Sequence, residues 1–306
     1  YQPVRAEDLP AAFMRAYAVA LQPPAGPVFL SIPLDDCDKP ATGPAVVRSI
    51  AKRIGPDPEG IAAFADALSA AGNPVLIYGS GIARAEGWET GIRLAEKLNV
   101  KVWAAPASER TPFPENHPLY AGGLPFAIGP LSKKLEGHDL AIVIGAPVFR
   151  YYPYIAGQYI PDGLRLLHIT DDPSESGRAP VGDSLLSDPV LALEELLARV
   201  KPRQAASGDI SKQEHRMAPY PAAKTPEKKP DSAMSSLELF QILRASTPDN
   251  TILVEESPSN LGELHTAWPI DKPDSFYTFA SGSLGWNLPA SIGIAMAERD
   301  SGRNRP

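Results

Sequence analysis

Four short, mostly apolar runs at 75–78, 100–105, 140–144 and 165–169 stand in the middle of the chain. They are too short for packed helices and are closed by glycine or proline, which predicts strands buried on both faces of a parallel sheet. Segments with apolar residues at helical spacing fill the gaps. One covers 59–71 with Ile61, Phe64, Ala65 and Leu68, and another covers 87–98 with Ile92, Leu94, Ala95 and Leu98. Two more fall near 127–136 and over 189–200. Alternation of strand and helix at this spacing predicts an α/β fold, a doubly wound parallel-sheet central domain over residues 41–200.

The flanks read differently. Residues 6–21 place Leu9, Phe13, Ala16, Tyr17 and Ala20 on one helical stripe, and 27–36 reads as an apolar strand. A lone helix and strand cannot bury their apolar faces, so 1–40 is expected to be the closing αβ unit of a further domain. From 201 to 234 the chain is rich in Pro, Lys, Ala and Ser with almost no large apolar side chains, the composition of a flexible linker. Beyond it, Ser235 and Glu238 stand at capping-box spacing, 251–257 reads as a strand, and 279–298 as a glycine loop feeding a small-residue helix. Residues 235–306 are therefore expected to be the opening part of another α/β domain. The central domain is thus flanked by partial α/β domains.

Composition narrows the partners. The 306 residues carry 29 basic and 36 acidic side chains, a net charge of −7, with no Lys/Arg-rich block, which argues against nucleic acid and for a small molecule or protein. No apolar run approaches the roughly 20 residues of a membrane span, and no signal-peptide pattern precedes the first strand. Cys37 is the single cysteine, so an intrachain disulfide and a cysteine metal cluster are excluded, and a cytoplasmic setting is expected. Cys37 itself reads as a small buried hydrophobe at a strand end. Histidines at 117, 138, 168, 215 and 265 show no spacing of a helical metal pair, and His168 reads as a satisfied core residue.

Three loops carry candidate chemistry. Gly79-Ser80-Gly81 follows a strand, yet Arg84 holds the third glycine position of a dinucleotide fingerprint and no acidic residue closes the second strand, so a structural turn is favoured. The loop 149–154 clusters Phe149, Arg150, Tyr151, Tyr152 and Tyr154 past a strand end, where α/β sheets place ligands; a packed lid is the equal alternative. Gly282-Ser283-Leu284-Gly285 reads as a tight strand-to-helix turn that exposes backbone carbonyls and one apolar side chain.

Taken together, residues 24–36, 103–120, 135–159 and 279–295 resemble the thiamine-diphosphate-dependent 2-oxo-acid decarboxylases, with the benzoylformate-cleaving members nearest in pattern. The resemblance implies a non-oxidative decarboxylase, a carboxy-lyase, of an aromatic 2-oxo acid such as benzoylformate, with thiamine diphosphate and Mg²⁺ as cofactors. It maps 1–40 to the end of a pyrimidine-binding domain, 41–200 to the central domain, and 235–306 to the start of a diphosphate-binding domain. It further implies a homo-oligomer, dimer or tetramer. Gly282, Ser283 and Leu284 match the segment that meets the thiamine rings, Leu284 being the apolar wedge beneath them. Ser259 and Asn260 match a loop that approaches the diphosphate. The family's activating glutamate and the Mg²⁺ ligands are expected outside these 306 residues, so the chain alone is expected to be inactive. Tyr152 stands where the benzoylformate-cleaving members are expected to have histidine. A phenol, ordinarily titrating near pH ~10, donates a hydrogen bond but shuttles protons near neutrality less well than imidazole. Carboligating synthases and acyl-CoA decarboxylases of the same cofactor class, or an inert structural module, are the alternatives.

Overall fold

The computed structural model describes residues 1–203 and 234–306. Helix α1 (Leu9–Leu21) opens the chain and α2 (Pro58–Ala70) leads into the central sheet. There follow β1 (Pro74–Tyr78), α3 (Ser80–Arg84), α4 (Trp88–Leu98), β2 (Val102–Ala104), β3 (Tyr120–Gly123), α5 (Ile128–Lys134) and β4 (Leu140–Ile144). Next come β5 (Arg165–Thr170), α6 (Pro173–Arg178), β6 (Asp183–Leu186) and α7 (Pro189–Arg199). Past the gap are α8 (Ser236–Ser246), β7 (Leu253–Glu255), α9 (Leu261–Ala267), β8 (Phe276–Thr278) and α10 (Asn287–Asp300).

Six strands pair in parallel in the order β3-β2-β1-β4-β5-β6, the doubly wound arrangement expected. In the central pair, Val75 stands beside Ala141 and Ile77 beside Val143. Because side chains alternate across a strand, Leu76, Tyr78, Ile142, Ile144, Leu167 and Ile169 face one layer with α2, α4 and α7. Val75, Ile77, Ala141, Val143 and Leu166 face the other with Leu131 and Leu135 of the α5 region. Both faces are covered, which is why these strands read as unbroken apolar runs. The two edge strands do not: β3 is Tyr-Ala-Gly-Gly and β6 is Asp-Ser-Leu-Leu, and the apolar pattern passes over both. Asp188 caps α7 by accepting from Val190 and Leu191 amides, and the Arg53 guanidinium grips the same carboxylate at 2.7 and 2.8 Å. Burial alone would raise the Asp188 pKa, but Arg53 and the helix amides hold it below the ordinary carboxylate value.

The amino-terminal flank corrects three expectations. No strand forms over 27–36: residues 27–33 carry no regular element, Ser31 N donates to Tyr1 O at 2.9 Å, and Phe29 is 78% exposed. An apolar strand needs a ladder on each side, and the described residues supply none. Helix α1 forms but buries Ala12, Met14 and Ala18, so the Phe13 and Tyr17 stripe faces outward. Cys37 is exposed and ends a short 3-10 turn (Leu34–Asp36), not a strand.

The capping box at Ser235 and Glu238 forms as its spacing predicts. The expected linker at 201–234 lies for the most part outside the described residues. Phe276 of β8, with Trp268 and Ile270 from the segment before it, packs against Ala83 of α3 and Trp88 of α4. The long loop after β2 stitches this contact. Glu115 N donates to Ile270 O at 2.8 Å, the Glu115 carboxylate accepts from Ile270 N at 2.9 Å, and Thr278 N donates to Glu109 O at 3.0 Å. His265 Nδ1 stands 3.0 Å from the same carboxylate. No described helix is long and apolar enough to cross a membrane.

Candidate functional site

Two places lie past the C-terminal ends of parallel strands, where such sheets put ligands. The first is a cleft of about 650 Å³ at the point where strand order turns from β1 to β4, lined by Gly81, Arg84, Gly145, Arg150, Thr170 and Asp171 among others. Its arginines are already matched: Arg84 with Glu109, Arg150 with Glu175 at 3.5 Å, and Arg53 with Asp188. Asp171 is half-buried, and burial lifts its pKa above the ordinary carboxylate range.

The glycines of this cleft are explained by packing. A Cβ on Gly79 would come 2.5 Å from the Gly145 carbonyl oxygen, and one on Gly81 would come 2.7 Å from Gly145 Cα. The Gly81 amide, which a phosphate would need, donates instead to Gly145 O at 2.9 Å. The turn after β1 is therefore where two backbones touch, in line with the structural reading of Gly79-Ser80-Gly81. His168 is fully buried, with Nε2 2.9 Å from Ala146 O and Nδ1 3.3 Å from Ser184 Oγ. Burial pushes its pKa down, so it sits neutral in the core.

The second place is formed by the loops after β7 and β8. Their register, Leu253 beside Phe276 and Glu255 beside Thr278, brings the two strand ends side by side. Past β7 the chain turns through a 3-10 segment, Pro258–Asn260, in which Ser259 is exposed and Asn260 N donates to Ser257 O at 2.9 Å. Past β8 it turns through Gly282 at φ +77° and Gly285 at φ +90°, left-handed conformations that favour glycine. No atom lies within 4 Å of the position a Cβ would take on either glycine. Between them Leu284 is held out, 73% exposed.

A residue that sequence reading missed joins the two loops. Glu256, just beyond β7, accepts from the Gly285 amide and from the Asn287 amide at 3.1 Å. Nothing local in the sequence signals a contact across some thirty residues. The Asn287 side-chain oxygen is buried beside this clamp without a hydrogen-bond partner among the described residues.

Tyr152 is not brought to these loops by any hydrogen bond. The aromatic loop divides instead: Phe149 is buried and Tyr151 packs edge-on to Tyr159 at 4.9 Å, while Tyr152 and Tyr154 project, Tyr152 being 79% exposed. The Tyr152 amide donates to Phe126 O at 2.8 Å, which fixes where the ring emerges.

The exposed Leu284 on a two-glycine turn is an apolar side chain open to contact by a ring system. Among the described residues no group of three or more His, Cys, Asp or Glu is placed to hold a metal ion. The Mg²⁺ expectation therefore rests on the resemblance alone.

Residues 61–196 match the thiamine pyrophosphate enzyme central domain. The chain is 38% identical over 303 residues to benzoylformate decarboxylase of Pseudomonas aeruginosa, an alignment covering 97% of this chain and 55% of that protein. The crystal structure of benzoylformate decarboxylase from Polynucleobacter necessarius superposes with a TM-score of 0.89 at 48% identity, covering 100% of this chain and 56% of that one. The thiamine diphosphate-dependent 4-hydroxybenzoylformate decarboxylase of Rhodococcus jostii RHA1 gives 0.82 at 36% identity, covering 98% and 56%. The chain spans about half the length of these relatives. By sequence and by fold it belongs to the thiamine-diphosphate-dependent enzyme family, with the family's central domain at residues 61–196.

Proposed function

We propose that this chain is part of a thiamine-diphosphate-dependent decarboxylase of an aromatic 2-oxo acid such as benzoylformate, converting it to the aldehyde and CO₂. The observation that carries this is the 38% identity to a benzoylformate decarboxylase over nearly the whole chain. Thiamine diphosphate, when bound, supplies the electron sink for loss of CO₂. Residues 1–40, 41–200 and 235–306 are then parts of the pyrimidine-binding, central and diphosphate-binding domains, working as a cytoplasmic homo-oligomer with Mg²⁺.

In this reading the turn Gly282–Leu284 offers a backbone carbonyl to the cofactor's amino group, and Leu284 wedges beneath its rings. Ser259 and Asn260 offer a hydroxyl and an amide toward the diphosphate. Tyr152 orients the substrate carboxylate by hydrogen bonding. It is preferred as an orienting group over a proton relay, because a phenol O–H donates a hydrogen bond directly to a carboxylate.

The test is product analysis of the complete protein that carries this chain, supplied with thiamine diphosphate, Mg²⁺ and benzoylformate. Stoichiometric benzaldehyde and CO₂ are expected. Acetolactate from pyruvate, with no aldehyde from benzoylformate, would move the chain to the carboligating branch.

A further inference from the structure

We propose that Glu256 is the positioning residue of the cofactor turn, its carboxylate fixing Gly282–Leu284 against the end of β7 so that Leu284 projects at a set height. The inference rests on the reading of that turn as the thiamine-ring contact. Helix α10 has 14 residues, and its first amides have no acceptor within the helix. The residue at its N-cap, Trp286, provides no side-chain cap. Glu256 replaces that cap from the loop after β7, taking the Gly285 and Asn287 amides and setting a carboxylate at the positive end of the helix.

Little else holds the turn. Ser283 N reaches Ser281 Oγ at 3.4 Å, and the space around Gly282 and Gly285 is open. Leu284 is one peptide from the clamped Gly285 amide, so its height follows that of the clamp. The same carboxylate ties this turn to the segment that leads to Ser259 and Asn260. One residue thereby sets the spacing between the ring contact and the diphosphate contact, which a single cofactor touching both must span.

The complete protein is compared as wild type, Glu256→Ala and Glu256→Gln. Amide hydrogen exchange is read without cofactor, and thiamine diphosphate affinity from quenching of tryptophan fluorescence, which Trp286 reports from within the loop. Loss of a charge-assisted hydrogen bond should raise exchange at Gly285 and Asn287, and weaken thiamine diphosphate, each by about tenfold in Glu256→Ala. Glu256→Gln, which keeps an acceptor oxygen, should recover part of both. Unchanged protection at Leu264 and Phe276 shows that the unit remains folded. Unchanged exchange at Gly285 and Asn287 overturns the clamp. Raised exchange with unchanged cofactor affinity makes Glu256 a helix cap only and overturns the positioning role. A wild-type protein that does not bind thiamine diphosphate removes the underlying reading as well, and is recognised because its exchange pattern still separates from that of Glu256→Ala.

Discussion

Two glycine turns follow parallel strands in this molecule, and they serve opposite ends. At Gly79–Gly81 the glycines are crowded: a Cβ would strike Gly145 or Ala146, and the Gly81 amide is already bound to Gly145 O. At Gly282–Gly285 they are open: φ is positive and no atom lies within 4 Å of the missing Cβ. A crowded glycine records a backbone contact within the fold. An open one with positive φ records a turn shaped to present something outward, here Leu284 between two glycines.

That difference has its largest consequence in stability. Gly81→Ala should destabilise the central sheet by about 3 kcal/mol, the cost of forcing an atom into packed backbone, as read from urea unfolding. A loss near zero would mean that the β1 and β4 turns yield easily, and the crowded turn would lose its structural explanation.

Tyr152 extends the comparison to the one part of the central unit expected to reach the substrate. A hydrogen bond to a charged group contributes about 1.5–3 kcal/mol, so Tyr152→Phe should lower kcat/KM on benzoylformate roughly 10- to 100-fold. Tyr152→His should retain turnover. Unchanged kinetics in both variants would leave the projecting aromatics as packing surface.

Gly282→Ala is the counterpart of Gly81→Ala and should cost only about 1 kcal/mol, from the left-handed φ alone. Equal losses at the two positions in the same unfolding experiment would erase the distinction between crowded and open turns.

The smallest effect concerns the seam between the two regions. Burial disfavours the protonated ring of His265, but Glu115 at 3.0 Å outweighs it and raises the pKa above the ordinary histidine value, with Glu255 adding to the effect. A raised folded pKa means that the stabilisation is complete below the unfolded value and is lost as pH rises through the folded one. The thermal midpoint should therefore fall from about pH 6 to about pH 8 in the wild type, and His265→Gln should flatten that slope. The same slope in both would show that the Glu115 contact does not depend on the charge.

What could be read from the chain follows from burial. β1, β4 and β5 were legible because both of their faces are covered, leaving apolar runs closed by glycine or by polar turn residues. β3 and β6 were not, since at the sheet edges they are mostly exposed or half-buried and carry Gly, Asp and Ser. The apolar stretch 27–36 shows the reverse failure: its composition suits a strand, but a strand exists only with neighbours to pair with. Cys37 was misjudged with it, for its burial depended on that strand. At the candidate site, the glycines of Gly282–Gly285 mark a turn, while Ser259, Asn260 and the role of Leu284 come from the family resemblance alone. Glu256 carried no local pattern, because its partners are fixed only when β7 and β8 lie side by side.

The most direct test of the contrast between the two turns is calorimetric titration of the complete protein with thiamine diphosphate and, separately, with FAD. The account predicts that thiamine diphosphate binds, that Leu284→Ala weakens it about tenfold through lost apolar contact, and that FAD gives no binding heat. Binding of FAD in the cleft beside Gly81, or thiamine diphosphate affinity indifferent to Leu284, would contradict it.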